Sequence, residues 1–450
     1  MLAGGAGFGG FVETAAGVTT ATPALWSRNF SLYFGARTVA LAGDSMMPVV
    51  ISIGLLGAGY GAGGVGAALG AWMAASILFM LFGGVLADRF SPRRMMVLAD
   101  LVRVVTHGIM AFAFISGKPV LWQIICLEIV SGVASAMFQP GTASLIPQVA
   151  RDVQGANGVL RMSDALSHMT GPALAGVLVV LFGGAGWVIG ITSVTFLLSA
   201  LLLLALRVRP PSAPLVRTSM LRDLAEGWQE FSSRTWLWGV IVIWTVHGLI
   251  VFGPSLPLIS AITVPRLGES VYGLVMGAFG AGSLVGGLLA MRLRPSRPLA
   301  AGAVAMFAFA LYPLGPALGF PAPALAASFF AAGIGAAFWG VMWATSVQTQ
   351  IPAPVLNRVH AYEVTGSNAA IPLGQVLAGP VALVAGVEEL LLVGAGVALA
   401  VPMLLLSVPA IRNLRRIEFG SAEQEKRERD ERDDRDRDGD RPEPVDRAAQ

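Results

Sequence analysis

Residues 83–94 read GGVLADRFSPRR, and residues 286–297 read GGLLAMRLRPSR. Aligned without gaps at an offset of 203, the two stretches share seven of twelve positions. The same offset places GPALAG at 171–176 on GQVLAG at 374–379, and Asp44 on His247. Separate matches at one offset mark a duplicated unit. Each twelve-residue copy separates two long apolar runs, so the duplicated unit is a set of apolar segments joined by short polar loops.

The composition says where such segments belong. With 55% hydrophobic and 13% charged residues over 450 positions, the chain lacks the polar surface of a soluble globule. Its apolar runs are about twenty residues long, which a helix needs to cross roughly 30 Å of hydrocarbon. A β-barrel would show short alternating segments instead. Breaks at charges and Gly/Pro clusters predict spans near 27–56, 61–87, 94–116, 120–147, 153–182 and 186–207, then 235–262, 269–292, 298–316, 322–350, 356–385 and 388–411. The expected fold class is an all-α integral membrane protein, twelve transmembrane helices in two pseudo-symmetric six-helix bundles. Residues 1–26 form an N-terminal tail, 27–207 the first bundle, 208–234 a linker, 235–411 the second bundle and 412–450 a charged tail. Parallel repeats joined this way place a substrate cavity between the halves near the midplane and let one half rock against the other.

Arg89, Arg93, Arg94, Arg151, Arg207, Arg234, Arg292, Arg297, Arg358 and Arg412 fall on one side of this topology, against Lys118 and Arg266 on the other. By the positive-inside rule both termini are cytoplasmic, and the expected location is a bacterial inner membrane. The net charge of +3 reflects these loop arginines and not a basic domain with interleaved aromatics, so no nucleic-acid partner is expected. The single cysteine, Cys126, lies in an apolar run and is expected to be a core thiol, with neither disulfide nor metal role. The first 25 residues lack the basic and apolar regions of a signal peptide and read as a loose tail. In the linker, Leu221, Leu224, Trp228 and Phe231 recur at helical spacing among charges, predicting an interfacial amphipathic helix. Beyond Arg416 the mixed Arg, Asp and Glu run is expected to be disordered.

In the first repeat copy, Gly83 and Gly84 permit close helix approach, and Asp88 can face the positive end of a neighbouring helix. Gly84, Leu86, Ala87, Asp88, Arg89, Arg93 and Arg94 resemble the Gly-x-Leu-Ala-Asp-Arg loop of the major facilitator superfamily, in particular its bacterial drug/proton antiporter branch with the enterobactin-exporter-like proteins. The resemblance runs from about residue 26 to 411, with Ser91 and Pro92 in place of the usual Gly-Arg region. It implies a cytoplasmic latch between this loop and the start of helix eleven around Asn357 and Arg358, with Arg103 and Glu363 in the same charge network. The second copy carries Met291 where the first has Asp88, so one latch keeps its acid. The alternative is that these charges only anchor the loop among headgroups. In helix five, Gly171, Pro172, Ala175 and Gly176 resemble the exporter-associated Gly-Pro-x-x-Gly-Gly motif, with Ala175 for one glycine. Proline bends a helix and small residues admit a close neighbour, which suits a helix sealing the outward face; an ordinary kinked packing helix is the alternative.

Ionisable residues within a bilayer are costly and mark function, which makes Arg37, Asp44, Glu128, Asp164, His168 and His247 the candidates. Arg37 and Asp44, seven residues apart, share a helix face and are expected to pair. Asp164 and His168, one turn apart, form a second expected pair. Glu128 stands four residues before Gly132, where the resemblance would place an arginine. Desolvation nevertheless favours the neutral form of a carboxylic acid, so Asp44 and Glu128 are the first choices for proton coupling, before Asp164 and His168. His247 reads either as a proton carrier or as a hydrogen-bonded packing residue. Trp244, Phe279, Phe338, Trp339 and Trp343 could line an apolar cavity, or each could pack or face lipid.

The expected function is proton-coupled efflux of a lipophilic or amphiphilic small molecule, drug or siderophore-like, through a cavity lined by helices 1, 4, 7 and 10. The alternatives are a proton-coupled metabolite importer and a non-transporting receptor or assembly protein on the same fold. Metal-ligand spacing, a nucleophile elbow and a phosphate-binding Gly-Lys-Ser/Thr loop are not found, so neither enzyme activity nor a cofactor or metal is expected. The expected partners are the substrate, protons and lipid, with a functional monomer.

Overall fold

The structure is a computed structural model and describes residues 26–89, 91–150, 152–208, 228–229, 231–351, 359, 362–363 and 365–416. Twelve described helices are long and apolar enough to cross a membrane. The first six are α1 (Arg28–Gly57), α2 (Gly61–Arg89), α3 (Pro92–Ile115), α4 (Leu121–Val149), α5 (Val153–Phe182) and α6 (Ala185–Leu204). The second six are α7 (Thr235–Leu267), α8 (Glu269–Arg292), α9 (Pro298–Ala317), α10 (Ala322–Gln350), α11 (Thr365–Ala385) and α12 (Val387–Ser407). The chain is therefore a multi-pass membrane protein, and every element among the described residues is helical. After an even number of crossings Trp26 and Arg416 lie on the same side, here the near face. The turns after α1, α3, α5, α7, α9 and α11 make the far face.

Helix ends follow local chemistry. Ser27 caps α1 through Phe30 N, and Asp152 caps α5 through Gly155 N at 2.9 Å. Arg93 reaches across to the end of α6, donating from Nε to Leu203 O at 2.8 Å and from its other nitrogen to Leu204 O. A guanidinium on the last carbonyls of a helix satisfies acceptors that have no intrahelical donor. On the far face Gly268 and Gly386 make one-residue turns at φ +85° and +91°, a region that favours glycine.

Two helices depart from the plain helices predicted over 235–262 and 298–316. α7 opens into a π-helical turn at Gly248–Phe252, just before Gly253 and Pro254. α9 tightens into a 3-10 turn at Phe307–Ala310, just before Pro313. Proline supplies no N–H to the preceding turn and crowds its carbonyl, so the ladder must shift register there.

Packing rests on small residues, as expected where lipid removes the hydrophobic drive between helices. Within the halves, Gly132 lies on Trp72 O, and Gly282, Gly286 and Gly333 bring α8 onto α10. Between the halves, α5 meets α8 through Gly176, Gly273, Gly277 and Gly280, while α2 meets α11 through Gly63, Gly66, Gly70 and Gly379. The two seams are related by the repeat: Gly176 and Gly379, like Gly70 and Gly273, are 203 residues apart. Both run from mid-membrane to the far face, which they close.

Cys126 corrects its expected place in the core, since it is exposed on the outer side of α4 beside Trp122 and Ile129. α4 is apolar all round, so a thiol suits its lipid face as well as its core face. The 1–25 tail, most of the linker with its predicted amphipathic helix, the 352–358 segment with Arg358, and the tail from 417 lie outside the described residues.

Candidate functional site

Polar and aromatic groups gather in two places, one in each half. In the first half the centre is Arg103 of α3, whose side chain is 1% exposed. Its guanidinium donates to Asp44 at 2.8 Å and to Asp100 at 2.7 Å, and Ser199 donates to the other Asp100 oxygen at 2.6 Å. Phe138 and Phe196 cover it at 4.8 and 4.3 Å, a cation–π arrangement that adds to the two ion pairs. One turn along α3, His107 is held by Thr192 at 2.9 Å and Ser131 at 3.2 Å. Asp44, His107, Glu128 and Ser131 border one void of about 40 Å³, space enough for a water molecule. Glu128 is 3% exposed, and its Oε1 has no hydrogen-bond partner among the described residues. One guanidinium thus serves Asp44 and Asp100, leaving the Glu128 carboxyl with no cation of its own.

This geometry corrects three expectations. Arg37 pairs with Asp164 at 3.0 Å and not with Asp44, because facing helices α1 and α5 bring Asp164 to it while α3 brings Arg103 to Asp44. Asp164 is accordingly engaged across the helix pair and not with His168, which is exposed and whose main-chain oxygen faces Gly280 of α8. Arg103 belongs to the buried first-half network and not to a cytoplasmic latch with Glu363. Its position eleven residues into α3 puts it near mid-membrane.

In the second half a cavity of about 420 Å³ is walled by α7, α8, α9, α10 and the start of α11. Trp244 stacks on Trp339 at 4.9 Å, Trp339 on Trp343 at 6.2 Å, and His247 on Trp244 at 5.1 Å. Phe252, Phe279 and Phe309 line the same space. Glu363 accepts from Trp343 Nε1 at 2.7 Å and borders the cavity, the second correction to the expected gate network. His247 is 2% exposed, packed against Trp244 and Phe309, with Nδ1 unpartnered among the described residues. The π-helical turn begins at the next residue and rotates α7 as it passes the cavity. Phe338 takes the packing alternative and not the cavity-lining one: it packs with Ala290 and Met342, one residue out of register with the cavity wall. This cavity lies inside the second half, and not between the halves along helices 1, 4, 7 and 10 as expected.

The helix-five residues divide their contacts. Gly171 lies against Ser45 within the first half, while Gly176 and the Pro172 carbonyl meet Gly273 across the seam, and Ala175 is fully buried. At the near face the backbone of α2 runs through Gly84 and Asp88 to Arg89, whose side chains lie outside the described residues, as does Arg358. Arg93 caps α6, and Arg94 borders a shallow near-face groove beside it.

Sequence reasoning passed over Asp100 and His107. With Arg103 they follow i, i+3, i+7 along one face of an otherwise apolar span, which was a readable signal.

A family model described as Major Facilitator Superfamily matches residues 33–374. The chain belongs to the Major Facilitator Superfamily. Among superfamily relatives, the multidrug efflux pump Tap of Mycolicibacterium fortuitum is 26% identical over 366 residues, covering 76% of this chain and 85% of its own. The enterobactin exporter EntS of Citrobacter koseri is 23% identical over 409 residues, covering 86% and 93%. Of solved structures, the nucleoside transporter NupG aligns with a TM-score of 0.63 at 14% identity, covering 84% of this chain and 98% of that one, a likeness of fold alone. This superfamily member is thus a transporter whose similar proteins by sequence include efflux pumps.

Proposed function

We propose that the protein exports a lipophilic or amphiphilic small molecule from the bacterial cytoplasm in exchange for protons. The observation that carries this reading is the tryptophan-lined cavity of the second half, placed from mid-membrane toward the near face while the far face is closed by the two glycine seams. Stacked indoles offer large apolar faces to a flat or greasy ligand, and Glu363 at the margin offers one charge to an amphiphile. The similarity to an efflux pump and a siderophore exporter points the same way. Import of a polar metabolite is poorly served by so aromatic a lining.

The excess of arginine on the near face makes that face cytoplasmic under the positive-inside rule, with both termini inside the inner membrane. The closed seams then correspond to an inward-facing state. Proton coupling falls to the first half. Asp44 and Asp100 share one guanidinium and Glu128 has none, so a proton on Glu128 or Asp44 relieves an uncompensated charge, and releasing it recreates that charge. Rocking of the halves would couple that change to the aromatic cavity. The substrate passes unchanged, so no enzymatic step, cofactor or nucleic acid is involved, and one chain suffices.

The test is substrate-driven proton movement in proteoliposomes loaded with lipophilic cations, antibiotics or siderophores, comparing wild type with Asp44→Asn and Glu128→Gln. Antiport through this site predicts proton flux that is lost in at least one variant while substrate still binds. Transport that survives both substitutions and ignores the pH gradient rejects the assignment.

A further inference from the structure

A second built cavity lies at the near face of the second half, about 420 Å³ in volume, where α8 and α10 end and α9 begins. Its charged groups are Arg294, Arg415 and Arg416, beside the neutral polar side chains of Thr345, Ser346, Thr349 and Gln350, and among the described residues no carboxylate lines it. Among the described residues none of the three arginines is in an ion pair. The last two are held in place: Arg416 N donates to Ser296 O at 3.0 Å, and Gln350 Nε2 donates to Arg415 O at 2.8 Å. The chain beyond α12 is thereby folded back over the cavity. One wall is apolar, formed by Ala290, Pro298, Val341 and Met342, and Met291 and Leu293, 63% and 53% exposed, carry it out onto the outer surface.

The repeat shows that this charge pattern is particular to the second half. At the 203-residue offset Asp88 becomes Met291 and Ser91 becomes Arg294. Both copies hold three arginines, but the second has no acid among them and carries one at 294, on the cavity, where the first has Ser91; a position that is aspartate in the first half is a methyl thioether bordering a basic cavity in the second. A site with three guanidinium groups, no counter-ion and an apolar wall open to lipid matches one ligand chemistry. We infer that this cavity binds the phosphodiester headgroup of an anionic phospholipid, with the glycerol and first acyl carbons along Met291 and Leu293. Guanidinium suits phosphate oxygens because its fork of donors meets two of them at once. A free phosphate ion would use the arginines and leave the apolar wall unfilled, whereas a zwitterionic lipid would bring a choline or ethanolamine cation among them.

The test uses the full-length protein, delipidated in detergent, titrated with phosphatidylglycerol, phosphatidylcholine or inorganic phosphate, and read by native mass spectrometry and by the thermal midpoint. Phosphatidylglycerol should bind wild type with one saturable site and raise the midpoint. Each arginine near an anionic lipid surface contributes about fivefold, so Arg415→Gln with Arg416→Gln should weaken that site about 25-fold. Met291→Asp, which restores the acid of the first repeat, should weaken it by about fivefold while leaving all arginines in place. Arg412→Gln, on the same face but outside the cavity, should bind as wild type does. The inference is overturned if phosphatidylcholine binds as tightly, or if millimolar phosphate displaces the lipid, which would make the site one for a free anion. Binding at wild-type affinity by both Met291→Asp and the double arginine variant also overturns it. So does a site that appears only when residues 417–450 are removed, which would assign the cavity to the chain's own tail.

Discussion

Replacing Gly273 by alanine should shift the protein out of its far-closed state without unfolding it. A Cβ at Gly273 would lie 2.7 Å from Gly176 Cα and 2.7 Å from Pro172 O, both main-chain atoms of the opposite half that no rotamer change can move aside. Overpacking of that kind costs about 1–3 kcal/mol. Only the state in which α5 and α8 touch at the far face bears this cost, so the ratio of far-closed to far-open molecules should fall about 5- to 160-fold. Spin labels at Ser116 and Leu318, exposed far-face sites in opposite halves, report the separation. A longer-distance component should appear in Gly273→Ala and grow at the expense of the short one. Two glycines of the same helix serve as comparisons. Gly287 has open space where its Cβ would go, so Gly287→Ala should match wild type. A Cβ at Gly282 would lie 2.0 Å from Phe330 O within its own half, so Gly282→Ala should lower stability in both states and leave the distance distribution unshifted. A wild-type distribution in Gly273→Ala would refute the reasoning, as would the same shift in Gly287→Ala.

Arg103→Met should be the most damaging single change in the first half. It strands the fully buried Asp100 and the partly buried Asp44, at a cost of about 3–5 kcal/mol, and the loss should appear as a lower thermal midpoint in detergent and poor membrane yield. Arg37→Gln should destabilise more than the double variant Arg37→Gln with Asp164→Asn, because the single change leaves Asp164 half-buried beside no cation; equal midpoints would show that the pair is not coupled. Trp339→Ala removes the middle of the indole stack and should weaken substrate binding about 2- to 12-fold, measured by tryptophan quenching or the transport KM, with little change at saturating substrate. Phe338→Ala, next in sequence but outside the cavity, should leave that KM unchanged and lower stability instead.

Phe338 and Trp339 show where reading the sequence stops. Both are large aromatics on α10 and either could have faced the ligand. Helix phase against α7 and α9 decided it, and that phase cannot be read from a span that is apolar on every side. The same limit applies to Arg37, Asp44, Asp164 and Arg103. Their presence in the bilayer followed from sequence, yet the pairing followed from which helices lie side by side.

The sequence by itself determined what depends on composition and local order: twelve apolar spans, two copies at an offset of 203, the arginine asymmetry of the loops, and the family. A bilayer imposes those features on the chain residue by residue, through length, hydropathy and charge. Tertiary structure alone decided that the carboxylates centre on Arg103 in one half and the tryptophans wall a cavity in the other. It alone decided, too, that glycines from α5 and α8 close the far face. Those outcomes turn on contacts between residues far apart in the chain, such as Arg103 with Asp44, Trp244 with Trp339 or Gly176 with Gly273. The physical reason is that helix–helix packing in lipid depends on the shape of side chains at the meeting faces, and an apolar surface turned to lipid looks in sequence much like one turned to a neighbour.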